Sequence, residues 1–228
     1  LFAMVDSLSD RLKTNLGLTG QQLATDFSKN IGEITTNSPE AFKLATQGFQ
    51  LWLAGEAFRA MPYFEQSVAI DPQFAMAYLW RGTIHWYFGR MKEYRTDVQR
   101  AFDLRERVSE RERLFIEAEY YQLTWEKTWG KAVDAYSKLI SLYPSYLLGI
   151  DNLAFLYWEI DEWDKAIEQY EVLKRYKYET TGYQIMAWSY LAKGQSDKAQ
   201  EVFEDYLNTI GDNSFMRANL GVVYLIKG

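Results

Sequence analysis

The sequence has no cysteine, only four prolines and a single histidine, His85. The absence of cysteine excludes disulfides, thiolate catalysis and cysteine-based zinc sites. His85 has no second histidine to join it as a metal ligand, and a Ser-His-Asp arrangement would need this same residue. We therefore expect His85 to pack as a ring in a core. The low proline count favours long regular elements.

Long apolar runs and positive charge are also scarce. No stretch approaches the roughly 18 apolar residues of a membrane helix. The formal charge of −6 disfavours nonspecific binding to nucleic acid or to an anionic membrane. The 228 residues do include 8 Trp and 17 Tyr, and 48% of the chain is hydrophobic, so a substantial core can be buried.

Small, small, aromatic and proline residues recur with spacings of 12, 4 and 8 residues. The first set is Gly48, Ala60, Phe64 and Pro72. The same offsets select Tyr120, Ala132, Tyr136 and Pro144, then Ala154, Ala166 and Tyr170, then Ala187, Ala199 and Phe203. A period of about 34 residues predicts an array of helix–turn–helix repeats. Because such arrays usually present a surface, the period favours a binding protein over an enzyme.

The period divides most of the chain into repeats. We expect them at 41–74, 75–112, 113–146, 147–179 and 180–213, with a half repeat at 214–228. Residues 1–40 are expected to form a helical extension and a linker, since an apolar stripe runs from Leu1 to Leu16.

Local signals refine this array. Ser38 followed by Pro39 is typical of a helix start. The second repeat is longer than the first, which predicts a longer second helix through 105–108, before a capping box of Ser109 and Glu112. Tyr120 stands at a position that is usually small, so we expect a local change of curvature there.

These offsets resemble those of the tetratricopeptide repeat over residues 41–228. The resemblance implies an all-α fold, a right-handed superhelical solenoid of about five and a half repeats, and a non-catalytic protein-interaction scaffold without a cofactor or a metal. Three phrases also resemble the repeat regions of bacterial signalling proteins such as serine/threonine kinases and adenylate-cyclase-like proteins: 37–41, 70–78 and 108–113. Since the chain starts at Leu1 and stops at Gly228 within a repeat, we expect a fragment of such a protein.

In tetratricopeptide arrays, positions 2, 5, 9, 12 and 13 of the first helix usually face the concave side. Here that rule predicts an aromatic groove for a partner: Phe49, Trp52, Trp86, Tyr87, Tyr121, Trp125, Asp151, Phe155, Trp158 and Trp188. The expected ligand is a protein or peptide that is apolar or aromatic and carries a basic residue. Packing between neighbouring first helices is the competing interpretation for any single ring.

Two alternatives stay open at this point. Exposed end helices could pair with another copy and form a homo-oligomer. Asp151 and Glu159 with the surrounding rings could form a small-molecule site, although the sequence contains no nucleophile with its base and no Gly-rich phosphate loop.

Overall fold

The computed structural model describes residues 36–123, 128–176 and 182–228. The predicted extension over residues 1–35 and the groove residue Trp125 therefore lie outside the described residues. The described residues form eleven α-helices and one 3-10 turn, with no strand among them. The predicted all-α fold is confirmed.

The chain divides between residues 125 and 126 into two compact units. The helices of the first unit are α1 (Pro39–Leu53), α2 (Ala57–Ile70), α3 (Ala75–Tyr87), α4 (Met91–Asp103) and α5 (Glu110–Leu123). Those of the second unit are α6 (Trp129–Leu142), α7 (Leu147–Glu159), α8 (Trp163–Arg175), α9 (Gly182–Ala192), α10 (Ser196–Thr209) and α11 (Ser214–Lys227). Within each unit, helices that are consecutive in sequence pack against each other. The exact repeat boundaries stay a prediction.

The helix pairs α1–α2, α3–α4, α7–α8 and α9–α10 are each joined by a turn of three residues. The middle residue of every such turn has a positive φ: 76° at Gly55, 70° at Gly89, 61° at Asp161 and 71° at Gly194. This left-handed conformation suits glycine, which has no Cβ. Asp161 adopts it at a steric cost that the three glycines avoid.

The start of α1 follows the signals in the sequence. The Ser38 side chain accepts a hydrogen bond of 3.2 Å from the Ala41 amide, and Pro39 occupies the first turn. The buried Thr36 donates to the Asp71 carboxylate from its hydroxyl, which ties the entering chain to the turn between α2 and α3. The predicted N-cap is therefore confirmed.

The small and aromatic positions meet where the spacing placed them in the first pair. Gly48, Ala60 and Phe64 are all buried. A Cβ at position 48 would lie 3.0 Å from the Phe64 ring, so any larger residue would require this ring to shift. In the second unit the equivalent alanines at 154, 166, 187 and 199 are buried in one apolar cluster.

The predicted extension of α4 is wrong. The helix ends at Asp103, and the extra residues form a 3-10 turn over Arg105–Arg107 instead. The capping box that follows is confirmed: the Ser109 amide donates to Glu112 Oε2 and the Glu112 amide donates to Ser109 Oγ, each at 3.2 Å. Ser109 and Glu112 fix the start of α5, which leaves the chain between Asp103 and Ser109 to form a tighter turn.

Tyr120 contacts α4. Its ring stacks on Phe102 with centroids 3.8 Å apart, so part of its volume is accommodated between α4 and α5. The expected change of curvature stays a prediction.

Candidate functional site

The predicted groove residues are divided between the two units. The first unit contains Phe49, Trp52, Trp86, Tyr87 and Tyr121, and the second contains Asp151, Phe155, Trp158 and Trp188. Of these nine, only Trp86 and Tyr87 are exposed, with 47% and 59% of their surface accessible. The other seven are half-buried.

A row of three rings connects the first helices of the first unit. Phe49 on α1 lies 4.7 Å from Trp80 on α3, and Trp80 lies 5.8 Å from Phe115 on α5. Phe115 is buried. Phe49 therefore helps to pack neighbouring first helices, as the competing interpretation expected.

A second set of rings lies at the turns within the pairs α1–α2 and α3–α4. Trp52 contacts Tyr87 edge-on at 5.5 Å, Tyr87 contacts Phe88 at 5.4 Å, and Phe88 contacts Phe58 at 4.5 Å. We name the surface around these contacts the turn-edge patch: Trp52, Leu53, Phe58, Tyr87, Phe88 and Met91. Leu53, Phe58, Tyr87 and Met91 are exposed, and Phe58 has 79% of its surface accessible. These rings contact each other, yet much of their surface faces solvent.

Charged residues surround the turn-edge patch. The Arg90 guanidinium lies 5.6 Å from the centre of the Phe88 ring, a cation–π distance. Arg59 pairs with Glu56. Among the described residues, Arg90 and Lys92 form no ion pair with a carboxylate, and the neighbouring Glu93 pairs with no cation.

The single histidine belongs to a polar cluster between α3 and α4. Arg81 donates to both carboxylate oxygens of the buried Asp97, at 2.8 and 2.5 Å, and His85 Nε2 lies 3.8 Å from Asp97 Oδ2. Burial lowers the pKa of His85. The Asp97 carboxylate is thus oriented by Arg81, and the mostly buried His85 side chain packs as expected.

The rings of the second unit lie on α7 and α9. Trp158 lies 5.9 Å from both Phe155 and Trp188. The Trp188 indole donates a hydrogen bond of 3.2 Å to Asn219 Oδ1 on α11. Burial, and then the negative charge of Asp151, raise the pKa of the Tyr170 phenol. The indole N–H of Trp188 is therefore already engaged in a hydrogen bond to α11.

Several exposed apolar residues were missed by the sequence analysis. The concave positions 2, 9, 12 and 13, counted from residue 214, are Phe215, Val222, Leu225 and Ile226, and all four are exposed. Applying the same rule to the half repeat would have identified these four residues. Applying it to position 13 of the first repeat would have identified Leu53. Phe58 lies on a second helix, which the rule does not cover.

No group of three or more His, Asp or Glu side chains is arranged to hold a metal ion in the described part of the chain. None of the described helices has the length and apolar character that crossing a bilayer requires.

Similar solved structures share this fold. TTC0263, a thermophilic tetratricopeptide-repeat protein of Thermus thermophilus, has a TM-score of 0.66 at 17% identity, covering 81% of this chain and 99% of that one. A tetratricopeptide repeat protein of Parabacteroides merdae has a TM-score of 0.59 at 15% identity, covering 98% and 84%. A chain of the APC/C hetero-tetramer Cut9–Hcn1 has a TM-score of 0.57 at 17% identity, covering 82% and 37%.

The chain therefore has the tetratricopeptide-repeat fold. Residues 183–209, which span most of α9 and α10, match the tetratricopeptide repeat family itself. No curated protein sequence matches the chain at a significant level.

Proposed function

We propose that this chain is a non-catalytic scaffold for protein–protein interaction and that the turn-edge patch, with the neighbouring Trp86, binds an apolar or aromatic segment of a partner protein. One observation carries the proposal. Exposed large apolar side chains at two successive turns are linked through contacts between rings.

The exposure of these rings favours binding over packing. Phe49 and Phe115 fill the space between helices, whereas Phe58 and Tyr87 face solvent. Continuous exposed apolar surface often marks an interaction site. Trp and Tyr are enriched among the residues that contribute most to binding energy at interfaces.

The charges around the turn-edge patch favour an acidic flank on the partner segment. Arg90 and Lys92 outnumber the single unpaired acid, Glu93, and a carboxylate on the partner would pair with either cation. The basic residue expected from the sequence was inferred from three acids, Glu117, Asp151 and Glu159. Glu117 in the first unit already pairs with Arg113, and the other two lie in the second unit. Binding at Asp151, Phe155, Trp158 and Trp188 stays a prediction for that unit.

A protein of similar fold supports an interaction role. The chain of the Cut9–Hcn1 hetero-tetramer is part of a protein assembly. A shared fold does not by itself transfer a function, so the argument depends on the exposed turn-edge patch.

A peptide-display experiment tests this function. The full chain would be panned against a random peptide library, and the affinity of each enriched peptide measured by calorimetry. We expect peptides with an aromatic residue and an acidic neighbour. The double variant Trp86→Ala/Tyr87→Ala should weaken their binding about 30-fold, which corresponds to ~2 kcal/mol.

The control is Tyr176→Ala in the second unit, because Tyr176 is 57% exposed, close to the exposure of Tyr87. This variant should bind the peptides like the wild type. Circular dichroism would check that all variants keep their helices. Enriched peptides that bind the Trp86→Ala/Tyr87→Ala variant normally would show that the turn-edge patch is not the site.

We also propose a role within a larger protein and, as an alternative, self-association. A role within a larger bacterial signalling protein is supported by the three resembling phrases, and the full reading frame of the gene would test it. Self-association through end helices is the alternative function, supported by the exposed residues of α11. Light scattering over a range of concentrations would show a rising mass if it is correct.

A further inference from the structure

The turn between α7 and α8 differs in charge from the three other turns of the same length. Its surroundings, residues 158–165, contain four acids and one lysine, and we name this segment the acidic turn. The same eight positions contain two cations and one acid at 86–93 and at 191–198, and one residue of each sign at 52–59. Of these four turns, the acidic turn is therefore the one with a net negative charge.

The four acids of the acidic turn are all exposed: Glu159, Asp161, Glu162 and Asp164. Lys165 Nζ lies 3.2 Å from Glu162 Oε2, and Lys193 pairs with Asp164. Asp161 forms no ion pair and no side-chain hydrogen bond among the described residues. Its carboxylate can therefore pair with a cation of a binding partner without giving up a contact within the described structure.

Asp161 also stands where the three other turns have a glycine. Its φ of 61° lies in the left-handed region, which costs a residue with a Cβ some stability. A glycine at this position would remove that cost, so the conformation of the turn does not explain the carboxylate. A residue that is kept at a cost to the fold favours a role for its side chain in binding.

An indole lies beside these acids. Trp163 is the first residue of α8, and it occupies the position that Met91 of the turn-edge patch has in α4. Trp163 is half-buried and contacts no other ring among the described residues. The acidic turn thus combines a ring with exposed negative charge. The turn-edge patch calls for this combination in its partner, since Arg90 and Lys92 have no carboxylate to pair with among the described residues.

We propose that the turn-edge patch of one copy binds the acidic turn of a second copy of this chain. The inference rests on the proposed function, whose partner it names. The Asp161 carboxylate would face the Arg90 guanidinium, and the Trp163 indole would lie against the exposed Phe58 ring. The chain itself displays the groups that the turn-edge patch calls for, and a second copy is present wherever the first is. Because the two surfaces differ, the contact is heterologous and can add further copies.

Charge reversal on each surface tests this contact. Light scattering would measure the mass of the full chain, which should rise with concentration and fall again when salt is added. Arg90→Glu/Lys92→Glu makes the turn-edge patch acidic, and Glu159→Lys/Asp161→Lys makes the acidic turn basic. Either variant alone should associate at least tenfold more weakly than the wild type, because like charges would then meet. An equimolar mixture of the two variants should associate like the wild type, since each surface again meets the opposite charge.

These substitutions suit the helices that carry them. Acidic residues are favourable near the start of a helix, where Arg90 and Lys92 lie in α4, and a lysine is favourable at the end of α7, where Glu159 lies. Circular dichroism would check that both variants keep their helices. Weaker association would therefore report on the contact between copies.

Asp161→Gly separates binding from folding. The variant introduces the residue that the three other turns have, so thermal unfolding should shift to a higher temperature. Its self-association should nevertheless be at least threefold weaker than that of the wild type. A purely structural role of Asp161 would not change these two measurements in opposite directions. A stabilised variant that associates like the wild type would show that the acidic turn is not the contact.

Three further results would overturn the proposal. The first is a wild-type mass that stays constant at all concentrations, and the second is a mixture of the two reversed variants that does not associate. The third is a loss of association in Leu225→Ala, which would assign the contact to the end helix α11. If the chain is a monomer while Trp86→Ala/Tyr87→Ala still weakens the binding of the enriched peptides, the proposed function stands and the second copy as partner is wrong.

Discussion

Helices α1 and α11 have a glycine at the same repeat position but differ in what lies over it. Over Gly48, the Phe64 ring approaches so closely that a methyl group would not fit without a shift. Over Gly221, the described structure leaves open space, and Leu225 beside it is almost fully exposed. A glycine inside a helix costs roughly 0.5–1 kcal/mol relative to alanine. In α1 the close contact with α2 offsets this cost, and in α11 nothing in the described residues does.

This difference shows what the repeated spacing specifies. The small residue of a first helix sets the distance to the helix that crosses it and contributes nothing to the stability of its own helix. The same residue type therefore lies in close contact with a ring in α1, whereas none of the described residues contacts it in α11. Three predictions test this comparison, from the largest expected effect to the smallest.

Phe64→Ala should give the largest effect, because the Phe64 ring is fully buried against Gly48. Removing a buried phenylalanine side chain typically costs about 3–5 kcal/mol of unfolding free energy. Leu225→Ala in α11 should change it by less than about 0.5 kcal/mol, since exposed substitutions usually do. Urea denaturation followed by circular dichroism would measure both. Equal losses in the two variants would mean that α11 is covered in solution as α1 is.

Gly48→Ala and Gly221→Ala should have effects of opposite sign. At position 48 the added methyl presses on a ring that is itself fully buried, so overpacking should outweigh the gain in helix propensity and destabilise the protein by about 1 kcal/mol. At position 221 only the gain remains, which should stabilise the protein by roughly 0.5–1 kcal/mol. Both would be measured in the same denaturation experiment. A destabilising Gly221→Ala would contradict the open space over this glycine.

Much of the local structure followed from the sequence because it depends on neighbouring residues. The cap at Ser38 and the capping box of Ser109 and Glu112 need only a few residues of chain, and both formed as predicted. The end of α4 was predicted wrongly, because the extra residues of the second repeat were assigned to the helix. They form a separate 3-10 turn instead. The positive φ of Asp161 was also not foreseen, since asparagine and glycine are the usual signals for that conformation.

The candidate site was predictable only in part. Repeat counting identified Trp86 and Tyr87, which are exposed, but it gave equal weight to Phe49 and Trp188, which pack between helices. The position of a residue along a helix indicates the face of the helix on which it lies. Its exposure on that face also depends on the size of the rings on the next helix, which counting positions does not consider. The same counting could not identify Phe58, which joins the turn-edge patch from a second helix.

The smallest predicted effect concerns α3, a first helix whose Gly82 faces both Asp97 and the Tyr94 ring of α4. Burial lowers the pKa of His85, and of the charges that face it, Asp97 and Glu93 raise this pKa while Arg81 and Arg90 lower it further. Because the pKa is lower in the folded state than in the unfolded state, the unfolded state binds the proton more tightly. The contribution to stability is therefore fully present above the unfolded pKa of about 6.5 and is lost as the pH falls through the lower folded value.

The wild type should consequently lose more unfolding free energy between about pH 7 and pH 5 than the His85→Gln variant, which has no proton to gain at this position. Urea denaturation at several pH values would measure the two profiles, and their difference isolates His85 from the carboxylates that both proteins share. Parallel profiles would show that His85 is solvated to the same degree in the folded and unfolded states. That result would mean that α4 shields α3 from solvent less completely than α2 shields α1. It would do so even though a Cβ at position 82 would lie only 3.2 Å from Asp97 Cβ on α4.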